Sequence, residues 1–99
     1  MAYLIKYSPE VKEHLKVLSV REQRIVLDAV EKQLLHQPTV ETKNRKPMRP
    51  NLLAPWELRV GTLRVYYHVE EEPDDVVYIK AVGIKERNQV RIGTEVIEL

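Results

Sequence analysis

The sequence predicts one α+β domain spanning residues 1–99, in which a two-helix hairpin packs on one face of a mainly antiparallel sheet. Three observations predict it. The chain opens on an alternating stretch, continues through two stretches with helical spacing, and ends with strand-like stretches of which two are joined by Gly61-Thr62. At 99 residues the chain has the size of a single domain, and its order reads β-α-α-β-β-β.

Tyr3, Ile5 and Tyr7 alternate with Leu4 and Lys6, which is the period of a short strand. Ser8 is placed to cap and Pro9 to occupy a first helical turn, where a missing N–H costs nothing. Val11, Leu15 and Leu18 recur at helical spacing, so the first helix is expected over 9–18. Ser19-Val20-Arg21-Glu22 fits a capping box, and Ile25, Val26, Ala29, Val30 and Leu34 stripe the helix that follows. Pro38 stops it near His36-Gln37. Residues 38–55 hold four prolines and no usable period, and they read as a loop longer than the usual connection. Trp56 to Val60 and Leu63 to Val69 form a hairpin around the Gly-X turn. An acidic loop follows from Glu70 to Asp75, then a strand from Val76 to Ile84. Residues 92–99 are open to two readings, an edge strand or a loose tail.

A formal net charge of +1 hides a strong segregation. Residues 43–68 carry Lys43, Arg45, Lys46, Arg49, Arg59 and Arg64 against Glu57 alone, a balance of +5. The next stretch holds Glu70, Glu71, Glu72, Asp74 and Asp75. Lys80, Lys85, Arg87 and Arg91 less Glu86 then restore +3. Such a molecule steers anions to one side, and the plainer alternative is solvated surface.

The hairpin register sharpens this. A turn at Gly61-Thr62 places Trp56, Leu58, Val60, Leu63, Val65 and Tyr67 on one side, which belongs on the helices. The other side carries Arg59 opposite Arg64, Glu57 opposite Tyr66 and Pro55 opposite His68. Two opposed arginines repel, so either Glu57 trims the charge or an anion sits there. Two guanidiniums offer forked donors to a phosphate. In the next strand Val77, Ile79 and Ala81 read as the inward set, which turns Tyr78, Lys80 and Val82 outward. Lys43, Arg45, Lys46 and Arg49 from the long loop, with Lys85, Arg87 and Arg91, are expected to rim a basic cleft interleaved with Tyr66, Tyr78 and His68. That is a design for single-stranded nucleic acid.

Other chemistry is not signalled. His14, His36 and His68 lack metal-ligand spacing, so no metal site is expected, and no phosphate loop, dinucleotide fingerprint or nucleophile motif implies a cofactor. The absence of cysteine suits a reducing compartment. The start lacks the pattern of a signal peptide and no apolar run is long enough to span a membrane, so a cytoplasmic protein without a membrane partner is expected.

Lys46-Pro47, Asn51-Leu52, Trp56, Leu58-Arg59-Val60-Gly61, Arg64-Val65-Tyr66-Tyr67 and Val82-Gly83-Ile84-Lys85-Glu86-Arg87 together resemble the RelE/ParE superfamily of toxins from bacterial type II toxin–antitoxin pairs. The resemblance runs the length of the chain. It implies the same compact fold and a cognate antitoxin as protein partner. It also implies a RelE-like endoribonuclease that cuts messenger RNA, on the ribosome, by attack of a 2′-hydroxyl on the neighbouring phosphate. In that chemistry Arg64 matches the hairpin arginine that neutralises transition-state charge, and Lys85 stands where many members carry a second arginine. Glu57, His68 and Lys46 are left as proton-transfer candidates. Arg59, Lys43, Arg45, Arg49, Lys80, Arg87, Arg91 and Tyr66 are expected to contact RNA. Arg91 falls where RelE-like nucleases usually have tyrosine or histidine, and arginine holds phosphate without accepting a proton. That departure keeps a second reading open: a ParE-like inhibitor of a protein target such as gyrase, or a toxin that binds without cutting.

Overall fold

The computed structural model describes residues 2–98. Its elements are β1 (Leu4–Tyr7), α1 (Pro9–Lys16), α2 (Val20–Leu34), β2 (Arg45–Pro47), β3 (Trp56–Val60), β4 (Leu63–Glu70), β5 (Val76–Glu86), β6 (Gln89–Ile92) and β7 (Glu95–Glu98). Among the described residues these strands form one sheet in the order β2-β3-β4-β5-β6-β7, all antiparallel, with β1 running parallel to β5. The α+β class and the element order are as expected, with three additions discussed below.

The helices start where the sequence places them. Pro9 opens α1, which ends at Lys16, two residues short of the expected limit. The Ser19 hydroxyl accepts from the Glu22 N–H (3.1 Å) while a Glu22 carboxylate oxygen accepts from the Ser19 N–H (2.9 Å). This capping box satisfies two donors that the first turn leaves free. Ser19→Ala is therefore expected to cost about 1 kcal/mol of stability, read from urea unfolding.

Leu58, Val65 and Tyr67 are fully buried beneath Val11, Val26, Val30 and Leu34 of the helices, with Val77, Ile79 and Val82 from β5. Trp56 and Val60 are half-buried at the edge of this core, and the Trp56 ring stacks on Tyr67 at a centroid distance of 6.2 Å. The Tyr67 hydroxyl donates to the Pro38 carbonyl, which ties the helix exit to the sheet. The observed register pairs Trp56 with Tyr67, Leu58 with Val65 and Arg59 with Arg64, as the Gly61-Thr62 turn requires, with Gly61 at φ +60°.

Three features depart from the sequence reading. The long loop contains β2, whose Arg-Lys-Pro sequence has no alternation to betray a strand. Among the described residues it pairs only with β3, and an outer strand tolerates a proline such as Pro47. Second, residues 89–98 form a β-hairpin around Gly93-Thr94. The edge-strand reading of the C-terminal stretch therefore holds over Glu95–Glu98, and Leu99 lies outside the described residues. Third, the register between β4 and β5 shifts: Tyr66 pairs with Ala81 but Tyr67 pairs with Ile79, so Lys80 is an extra residue. A bulge of this kind reverses the facing of everything beyond it. Ala81 therefore turns away from the helices and Val82 toward them, the opposite of the sequence expectation.

One long edge of β5 is shared by β1, over Val76–Ile79, and β6, over Gly83–Glu86. The residues between the two partners are served by other groups. The Ser8 hydroxyl, expected to cap α1, donates instead to the Lys80 carbonyl (3.3 Å). The Val82 N–H donates to His14 Nδ1 (3.3 Å), which accepts only when that nitrogen is unprotonated. Burial pushes the His14 imidazolium below the usual histidine range, while Glu10 and Glu95 act in the opposite direction. A depressed pKa in the folded state gives stability that is complete above the ordinary histidine value and lost as pH falls through the lower folded value. Acidification from about pH 7 to about pH 5 should thus destabilise the native protein more than His14→Gln, measured by urea unfolding at both pH values.

Candidate nucleic-acid interface

The face of the sheet turned away from the helices is divided. Its middle is covered by a second small core of Ala54, Tyr66, Ala81, Val90 and Ile92, against which Met48, Leu53 and Ile97 pack. Tyr66 is fully buried in it, so its ring does not present the stacking surface expected from the sequence. The face is not open as the sequence suggests, because the 48–54 segment and the C-terminal hairpin fold over it.

Beside this small core lies a cleft of about 510 Å³. Lys46, Arg49, Glu57, Arg59, Arg64 and Lys85 line it, together with Pro47, Met48, Pro50, Asn51, Asn88, Val90 and Glu98. Each element supplies its residue for a local reason. The hairpin register sets Arg59 directly across from Arg64. Lys85 pairs with Val90 of β6 and therefore points to the same side as the small core, and its N–H donates to the Thr62 carbonyl (2.7 Å). Asn51 shapes the loop. Its amide donates to the carbonyls of Arg49 (2.7 Å) and Ala54 (3.0 Å), and its oxygen accepts from the N–H groups of Leu53 (2.7 Å) and Ala54 (3.0 Å).

The repulsion anticipated between the two arginines is relieved on one side only. Arg59 Nε donates to Glu57 Oε1 at 2.7 Å, and Glu57 is buried. Arg64 instead donates through one terminal nitrogen to the carbonyls of Gly61 (2.7 Å) and Leu63 (2.9 Å), and it makes no ion pair among the described residues. These two bonds fix the guanidinium in place while leaving its charge uncancelled. Lys46 reaches the exposed Glu41 at 3.4 Å, a contact of little energy in solvent. The cleft thus presents five cationic side chains against two carboxylates.

Seven of the thirteen sequence candidates lie outside this lining. His68 and Lys80 line a neighbouring hollow of about 450 Å³ that shares Met48 to Asn51 with the cleft. His68 is bonded to Glu70 (3.0 Å) and its ring lies 5.5 Å from that of Tyr78. Arg91 pairs with Ile84, faces the helix side near His14 and Val17, and binds Glu86 (2.7 Å). The β6 ladder decides this, because Val90 and Ile92 occupy the other face. Arg45 fastens the chain to α2, donating to the carbonyls of Gln33 (2.8 Å) and Val40 (3.0 Å). Lys43 lies exposed just before β2, and Arg87 sits at φ +56° in the turn between β5 and β6. Tyr66 is the seventh. Conversely, Glu98 and Asn88 line the cleft without having been singled out. For Glu98 no local signal exists, because Glu95-Val96-Ile97-Glu98 does not alternate and its strand is set by pairing with β6.

These features define a small α+β domain with a helical hairpin on one face of its sheet and a cationic cleft on the other. A chain in the crystal structure of the toxin–antitoxin complex RelBE2 from Mycobacterium tuberculosis has this fold. The similarity has a TM-score of 0.73 at 24% sequence identity and covers 86% of this chain and 100% of that chain. The fold implied by the resemblance in the sequence is therefore present. No family model and no curated protein matches the chain. No helix among the described residues is long and apolar enough to cross a membrane, and no group of potential metal ligands occurs among them.

Proposed function

We propose that the protein is a toxin of a toxin–antitoxin pair that binds RNA in the cationic cleft and cleaves it. The observation that carries this reading is the convergence of Arg64, Lys85, Arg59, Arg49 and Lys46 in one cleft, with Arg64 held by two backbone carbonyls and unpaired with any carboxylate among the described residues. The fold shared with a chain of a toxin–antitoxin complex supports it.

In the proposed reaction a ribose 2′-oxygen forms a bond to the adjacent phosphorus and the bond to the 5′-oxygen breaks. The phosphoryl oxygens gain charge on the way, and Arg64 and Lys85 neutralise it. The 2′-hydroxyl proton goes to a carboxylate, for which the cleft offers Glu57, and the departing 5′-oxygen takes a proton from an ammonium such as that of Lys46. Messenger RNA is the substrate class, with cutting on the ribosome. The protein partner is an acidic antitoxin segment that covers the cleft.

Expression in bacteria without a partner should arrest translation and leave cut transcripts. Growth at the normal rate with intact transcripts, in cells holding folded protein, contradicts the proposal. A second reading, binding without cleavage, is favoured by one observation: Glu57 is already engaged by Arg59, and His68 and Arg91 lie outside the cleft. It predicts toxicity with uncut RNA. Inhibition of DNA supercoiling by the purified protein would turn that reading toward a gyrase-type protein target.

A further inference from the structure

The Tyr66 hydroxyl is a buried side-chain polar atom with no hydrogen-bond partner among the described residues. An orphaned donor of this kind is costly and calls for a physical reason. It belongs to the small core beside the cleft, and its strand partner Glu57 lines the cleft. Tyr66 pairs across the strands with Glu57, and burial, with that carboxylate as the second cause, holds the phenol protonated above the ordinary tyrosine range. The hydroxyl is thus a donor close to the Glu57 carboxylate, drawn toward it without reaching the geometry of a full hydrogen bond. The carboxylate is meanwhile taken by Arg59 Nε at 2.7 Å.

Arg59 is the most exposed member of this trio. Its side chain is about half exposed while that of Glu57 is 11% exposed. A phosphate entering the cleft competes with Glu57 for the guanidinium. Were Arg59 simply to leave, a nearly buried carboxylate would remain without a partner, a loss that opposes binding.

We propose that Tyr66 is a positioning residue: its hydroxyl takes over the Glu57 carboxylate when Arg59 turns outward to a bound phosphate. The inference rests on reading the cleft as a nucleic-acid site. In the resting protein the hydroxyl waits unpaired, and its hydrogen bond forms only in the complex. Tyr66 thereby serves phosphate recognition without touching RNA, a role different from the base stacking expected of it from the sequence.

The test uses a short RNA whose 2′-hydroxyls are methylated, which binds without being cut, and follows its affinity by fluorescence anisotropy alongside thermal melting. Tyr66→Phe keeps the ring and removes only the unpaired donor, so the variant should melt at or above the temperature of the parent. Its affinity should fall about tenfold, the order expected when a hydrogen bond to a charged group is lost. Glu57→Gln removes the charge that needs holding, so adding Tyr66→Phe to it should change affinity no further. A merely structural tyrosine would weaken both backgrounds equally. Unchanged affinity in Tyr66→Phe, a lower melting temperature, or an equal loss in the Glu57→Gln background each overturns the inference while leaving the cleft reading intact. Failure of the parent protein to bind the RNA overturns both.

Discussion

Arg64→Ala should leave the protein folded and lower RNA cleavage by about 100- to 1,000-fold, the usual consequence of removing one preorganised donor from developing charge. Folding should survive because the residue is partly exposed and, among the described residues, its side chain bonds only to two carbonyls beside the turn, so the melting temperature should stay near that of the parent. Arg64→Lys separates charge from geometry. A lysine restores the sign but not the fork, and it cannot be clamped by the Gly61 and Leu63 carbonyls while also presenting a second pair of donors. It should recover binding more than cleavage. The measurement is single-turnover cutting of a short RNA, with binding followed on the methylated analogue. Cleavage by Arg64→Ala at the parent rate would remove Arg64 from the reaction.

Gly83→Val should be among the most damaging single changes to stability. A Cβ at this position lies 2.5 Å from the Arg91 carbonyl oxygen and 2.8 Å from Cγ1 of both Val90 and Ile92. The first of these neighbours is backbone, so β6 itself must move. The expected cost is about 3 kcal/mol, at the upper end for overpacking, with displacement of Val90 and of the β7 strand that carries Glu98. Gly61→Ala is the contrasting case. Its φ of +60° is strained for alanine, but no atom lies within 4 Å of the new Cβ, so the expected cost is about 1–2 kcal/mol. Urea unfolding of the two variants distinguishes a glycine required by close approach from one required by backbone conformation. Equal losses would contradict the assignment.

The part of the fold written in local pattern was legible, and so was the part of the site that depends on it. A capping box and a two-residue turn each determine their own surroundings. The box starts α2 and the turn sets the β3–β4 register, which alone brings Arg59 and Arg64 together. Beyond that a period of two misleads. It cannot reveal an unpaired residue inside a strand, and the bulge at Lys80 sends Ala81 and Val82 to the faces opposite those expected. It also cannot show which strands turn back to cover a face. Tyr66 looked exposed because its cover comes from Ala54, Val90 and Ile92, far from it in sequence. Arg91 went astray for the same reason: its side is determined by pairing with β5, which no residue near it signals. Charge segregation survived these errors, since Lys46, Arg49 and Lys85 reach the cleft as the segment balance suggested.

The central claim, that the cationic cleft is where RNA binds, is tested most directly by titrating isotope-labelled protein with the methylated RNA and following backbone amide and arginine side-chain resonances. Shifts should concentrate on Lys46, Arg49, Arg59, Arg64 and Lys85 and spare α1, α2 and Arg91 on the opposite side of the sheet. Shifts centred on the helices, or none at all in folded protein, would contradict it.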